Sequence, residues 1–273
     1  PPNDQTLDQI GNLDAVVHCA ALSSAWGPLA RFVDANVTGT MTAVQLAKAG
    51  GTRRFVNISS PTVYFAPRDQ LDVCETAILP RPTNAYAATK AQAENIVLHD
   101  HDIDAINLRP RGIYGAGDTT LLPRLGRAAQ MGPLPLMRGG IASIDLTHVS
   151  DVVRAICAAL DAGPDAIGET FNVSSGEARK ITDIVADVCA ATQLNLRWKP
   201  VPWRIAMGAA RAAEAVAHLR QTETEPRLTR YKVGLFAFRQ SLNITKAKQV
   251  LHWEPQVDFK RGLSMTFADR SGK

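Results

Sequence analysis

No apolar run in the 273 residues approaches the ~18 that a membrane-spanning helix needs, so no integral membrane segment is expected. Cysteine is scarce: Cys19, Cys74, Cys157 and Cys189 are the only four, and no two form a C-x-x-C pair. That spacing argues against a disulfide framework and a thiolate zinc site, and fits a cytoplasmic protein with reduced, buried thiols. The six histidines show no metal-ligand spacing. His99-Asp100-His101-Asp102 falls between a helical and a strand pattern and reads as a solvated connection, so no metal is expected. The opening Pro1-Pro2-Asn3-Asp4 lacks the apolar core of a signal peptide. Charge of one sign is also lacking. The net charge is +4, and the densest basic stretch, Arg197 to Lys232, is interrupted by Glu214, Glu223 and Glu225. Nucleic-acid recognition needs a gathered basic face, so none is expected; an anionic small molecule suits the mild positive charge.

What is present is an alternation of strands and helices. Asp14 to Ala20 is a short apolar run of the kind found in buried parallel strands. Residues 31–49 carry Phe32, Val33, Val37, Met41, Val44 and Leu46 at helical spacing, and Gly50-Gly51 ends them. Arg54–Ser59 is the next strand, 61–82 a long loop, 85–99 a helix and Asp104–Arg109 a third strand closed by Pro110. Val149–Leu160, Ile181–Ala191 and Ala206–Leu219 read as helices, and Glu169–Val173 as a strand. This order implies an α/β fold, a doubly wound parallel sheet with right-handed crossovers. Residues 1–120 and 145–175 are assigned to it, with 121–144 and 176–273 as a smaller C-terminal lobe. A dinucleotide-binding sheet of this type opens with a strand, a G-x-G-x-x-G turn and a helix. Nothing of that form precedes Asp14, and the cluster Gly112 to Gly117 has the wrong spacing. The expectation is a fold without its first two β-α units, about 50–60 residues at ~30 per βαβ unit.

Tyr86 and Lys90 stand at i and i+4, which places both side chains on one helix face, ~6 Å apart. A phenol titrates near ~10, and a neighbouring ammonium favours its phenolate, so the pair can exchange a proton with an alcohol or ketone. The strand Phe55 to Ser59 runs into Ser60, Thr62 and Tyr64, delivering hydroxyls to the C-terminal sheet edge where α/β folds bind ligands. Ser60 can hydrogen-bond a substrate oxygen from there. Taken singly, these residues also suit a surface helix and a capped turn.

Together with further motifs, they resemble the extended short-chain dehydrogenase/reductases. His18-Cys19-Ala20-Ala21 resembles that family's cofactor-contacting turn, and Asn36-Val37-Thr38-Gly39-Thr40 its N-V-x-G-T helix. Ser59-Ser60-Pro61-Thr62-Val63-Tyr64 resembles the segment with the catalytic Ser, and Asn84-Ala85-Tyr86 to Lys90 the catalytic helix. Leu108 to Gly115 resembles the loop against the nicotinamide, while Ser241 to Ala247 and Leu251 to Pro255 resemble the C-terminal segment. The resemblance implies Tyr86 as general acid/base, Lys90 as the residue that lowers its pKa and holds the ribose, and Ser60 as the orienting hydroxyl. It implies cofactor contacts from Cys19, Ala20, Ala21, Asn36, Ser59, Tyr86, Lys90, Pro110, Arg111 and Gly112. NAD is the expected cofactor, with NADP the alternative. A homodimer through helices around Val37–Ala47 and Ala91–Leu98 is also implied.

Two departures narrow the branch. Pro61 and Thr62 stand where the dehydratases carry acidic residues, and Ile144 replaces an Arg that grips substrate phosphates in nucleotide-sugar enzymes. Arg124, Arg127 and Arg138 are the candidate substitutes. The string otherwise resembles the 3β-hydroxysteroid dehydrogenase branch, whose substrates are bulky, mostly apolar secondary alcohols or ketones, including sterols and long-chain 3-oxo acids. A nucleotide-sugar epimerase is the alternative within the family. A non-catalytic cofactor-binding or sensor protein is the alternative of another class. The helix following Trp203 is expected to pack into the lobe, with a lid or a membrane contact as rival roles, and Trp198 and Trp203 are expected to pin the lobe.

Overall fold

The computed structural model describes residues 11–220 and 222–268; the reading of Pro1 to Asp4 lies outside them. Four parallel strands form the central sheet in the spatial order of the chain: β1 (Val16–His18), β2 (Arg54–Ile58), β3 (Asp104–Pro110) and β4 (Glu169–Val173). Helix α1 (Gly39–Ala49) follows β1, α2 (Ala85–Leu98) follows β2, and α3 (Val149–Leu160) precedes β4. Strand periodicity sorts the side chains into two layers. Phe55 and Ala105, paired in register, pack with Val44, Ala47 and Val97 under α1 and α2. Val56, Ile106, Leu108, Phe171 and Val173 point the other way, onto Ala155, Ala159 and Trp253. Helices therefore cover both faces, and the C-terminal ends of β1, β2 and β3 meet at one edge.

The lobe packs around two further apolar clusters. Helix α4 (Ile181–Ala191) buries Ile184, Val185 and Val188 against Tyr114, Leu122 and Leu263. Helices α5 (Trp203–Leu219) and α6 (Arg230–Ala237) close on Met137, with Met207, Ala210, Val233 and Phe238. Trp198 packs against the first cluster and Trp203 against the second, the pinning role expected of them.

Three expectations need correction. The loop 61–82 contains a 3-10 turn, Pro61–Tyr64, and a strand, Gln70–Val73, that pairs parallel with Gln240–Leu242. The helix over 31–49 is interrupted by a π-helical turn at Val33–Thr38, which seats Asn36 inward. Of the thiols expected to be buried, only Cys189 is; Cys19, Cys74 and Cys157 are exposed, at a strand end, after Val73 and on the outer side of α3. The His99 to Asp102 segment is a solvated connection, its two carboxylates paired with Lys48.

Candidate functional site

Strand β2 delivers Ser59 and Ser60 to the sheet edge, and Pro61 starts the 3-10 turn that fixes them. Ser60 caps that turn, its Oγ accepting from the Thr62 amide at 3.3 Å and lying 2.9 Å from Thr62 Oγ1. Asn84 caps α2 by accepting from the Ala87 amide at 2.8 Å, so the helix begins one residue before Tyr86. The Tyr86 hydroxyl lies beside the hydroxyls of Ser60 and of Ser23 in the loop after β1. Burial raises its pKa above that of an ordinary phenol, and the two serine hydroxyls oppose this.

Lys90 lies one turn further along and is only 2% exposed. Its Nζ donates to the Ile58 carbonyl at 2.7 Å. Burial lowers its pKa to about 8, partly offset by Glu94 and Cys19. The Lys90 ammonium is turned onto the end of β2, and the Tyr86 shift follows from burial first, then from the two serines and Tyr231.

Asn36 is almost fully buried and joins three parts of the site. Its Oδ1 accepts from the Leu22 amide at 2.6 Å, and its Nδ2 donates to Thr89 Oγ1 at 3.0 Å on α2. Cys19, Ala20 and Ala21 present small, exposed side chains where β1 ends. Ser59 Oγ is buried without a partner. Pro110 ends β3, and Gly112 turns the chain with a left-handed φ of +51°; a Cβ there would lie 2.6 Å from Leu146 Cδ2. The Arg111 guanidinium is paired with Asp145 at 3.4 Å and bonded to Gln240.

A dinucleotide fits this edge. Lys90 has one protein acceptor and donors to spare, the Ser59 hydroxyl is orphaned, and the residues that end β1 are small and exposed.

Several neighbouring residues lie outside the set expected to carry the chemistry. His18 is 7% exposed, with Nε2 3.1 Å from Thr40 Oγ1; burial, then Lys90, lowers its pKa to about 4. Arg109 and Glu94 form a buried fork, 2.7 and 2.6 Å, and Arg109 also donates to Tyr64 OH. An Arg in a strand buried along nearly its whole length, and a Glu four residues after Lys90, are the sequence signals for this pair. Tyr231 and Trp26 bring α6 and the β1 loop beside α2, lining a small cavity with Asn84 and Thr83. Of the substitute phosphate-binding residues, Arg124 pairs with Glu225 and Arg138 with Asp69. Arg127 donates to the Thr119 carbonyl.

The sequence model of the NAD dependent epimerase/dehydratase family matches residues 3–174. The chain is 30% identical to the 2-alkyl-3-oxoalkanoate reductase of Stenotrophomonas maltophilia, over 94% of this chain and 80% of that one. It is 29% identical to the decarboxylating sterol-4-alpha-carboxylate 3-dehydrogenase of Saccharomyces cerevisiae, over 93% and 76%. Among solved structures it resembles epimerase Mth375 of Methanothermobacter thermautotrophicus, with TM-score 0.75 and 22% identity over 98% of this chain and 76% of that one. That likeness shows the Rossmann-like fold.

Proposed function

The chain belongs to the NAD-dependent epimerase/dehydratase family, and on that premise we propose that it interconverts a secondary alcohol and a ketone on a bulky apolar substrate, of the 3β-hydroxysteroid or sterol type or the long-chain 3-oxo acid type. It is an NAD(P)-dependent dehydrogenase/reductase. The observation that carries this reading is the meeting of Tyr86 and Ser60 over the buried Lys90. The nicotinamide, when bound, supplies or accepts the hydride. Tyr86 gives its proton to the carbonyl oxygen, or takes it from the alcohol, and Ser60 orients that oxygen. Lys90 turns its remaining donors to the ribose and favours the tyrosinate. Cys19, Ala20, Ala21, Asn36 and Ser59 form the cofactor's wall on the β1 and β2 side, and Pro110, Arg111 and Gly112 on the β3 side. Residues 1–120 and 145–175 bind the cofactor, while 121–144 and 176–273 cover the substrate. We place the protein in the cytoplasm, as a homodimer through α1 and α2; among the described residues no helix is long and apolar enough to cross a membrane.

Ile144 at the position of the phosphate-gripping Arg, with Arg124 and Arg138 already paired, disfavours a nucleotide-sugar substrate. A sensor role on this fold goes with loss of the Tyr or Lys, and both are present. The test is turnover by purified full-length protein with reduced and oxidised cofactor. The panel holds a 3β-hydroxysterol, a long-chain 3-oxo acid and a UDP-sugar. Activity on either apolar class supports the proposal; activity on the UDP-sugar alone overturns it.

A further inference from the structure

Helix α5 is two-sided. Its inner face buries Ala206, Met207, Ala210, Glu214 and Ala217. The outer face carries residues 205, 208, 209, 212, 215, 216 and 219, spaced i, i+3, i+4, i+7, i+10, i+11 and i+14, which is one continuous stripe at ~100° per residue. Every member is apolar or Gly, and the largest stand well clear of the protein: Ile205 is 70% exposed, Val216 47% and Leu219 86%. At the same angular spacing, Arg204 and Arg211 flank one side of the stripe and Arg220 the other. None of the three has an ion-pair partner among the described residues, and no carboxylate stands on the exposed arc. Glu214 is on the buried face and paired with Arg230. Beyond the helix end, Glu223 is paired with Arg31 and Glu225 with Arg124 and Lys232.

We propose that the exposed face of α5 docks on an anionic lipid surface, with the helix lying in the plane of the interface. An interfacial helix needs an apolar stripe to enter the acyl boundary and cations beside it to meet headgroup phosphates; this face supplies both along ~25 Å of helix. Long Arg stems can bury along the stripe while their guanidiniums reach the headgroups. A second copy of the chain fits the face badly, because a symmetric contact sets arginines against arginines with no acid to receive them. The stripe itself fits nucleic acid badly, since its centre holds no donor.

The test is co-sedimentation of the full chain with vesicles of phosphatidylcholine alone and of equal parts phosphatidylcholine and phosphatidylglycerol. Wild type is expected to bind the anionic vesicles at least ~5-fold better, in a salt-sensitive way. Two variants act on independent features: R204E/R211E on the charge, and I205N/L219Q on the stripe. Each alters only exposed side chains of α5, and each is expected to lose most of the binding with an unchanged melting temperature. Equal binding to both vesicle types, no binding to either, or binding that survives both variants overturns the proposal. So does a concentration-dependent dimer that the same variants abolish, which would assign the face to a second copy.

Discussion

At the scale of single residues, the site's electrostatics follow from burial. His18 is held neutral because it is enclosed and shares its surroundings with the Lys90 ammonium. Its folded pKa, about 4, lies below the unfolded 6.5, so the unfolded chain binds more protons between those values. Stability from this residue is therefore full above 6.5 and is lost as pH falls toward 4, by about 3 kcal/mol at most. Urea unfolding across that window is expected to show the slope, and the His18→Gln variant to lack its share of it. Ser60→Ala removes the hydroxyl proposed to orient the substrate oxygen. Turnover is expected to fall about 100-fold with cofactor affinity retained, read from steady-state kinetics and cofactor fluorescence. The Tyr86–Lys90 spacing and the hydroxyls after β2 were legible as sequence. The direction of the Lys90 ammonium was not, because it depends on where β2 ends relative to α2.

At the scale of elements, the buried fork between Glu94 and Arg109 ties α2 to β3 directly beneath Lys90. Removing one partner strands a buried charge. Glu94→Ala is expected to cost about 3–5 kcal/mol in denaturant unfolding, and a well-packed apolar replacement of both partners much less. Gly112→Ala combines a left-handed φ with a Cβ 2.6 Å from Leu146. A loss of at least about 1–2 kcal/mol is expected, together with weaker cofactor binding. The long elements could be read from the chain: Glu169–Val173 and Ile181–Ala191 have the expected bounds because buried strands and amphipathic helices write their periods locally. The short strands could not. Gln70–Val73 pairs with a segment 170 residues away, and Leu134–Leu136 carries a Pro at its centre, so neither has a local period to read. The π-helical turn at Val33–Thr38 goes with long-range bonds from Asn36 to Leu22 and Thr89, which no local period announces.

At the scale of the whole molecule, the lobe is fastened to the sheet edge beside the site. Arg230 of α6 donates to the Thr83 carbonyl and pairs with Glu214 of α5, while the Trp26 indole donates to the Thr222 carbonyl at 2.9 Å and stacks on His218. These ties bring α5 and α6 beside the N-terminus of α2, in keeping with the proposed role of the lobe. Cofactor binding should stabilise the protein as a unit. Full-length protein with NAD or NADP at about 100 times its Kd is expected to gain about 2.7 kcal/mol, seen as a raised melting temperature. The most direct test of the central claim is a side-by-side turnover measurement of wild type and Tyr86→Phe on the apolar substrate found active. The account predicts a fall of about 100- to 10,000-fold, with cofactor binding unchanged. Equal turnover by the two proteins would contradict it.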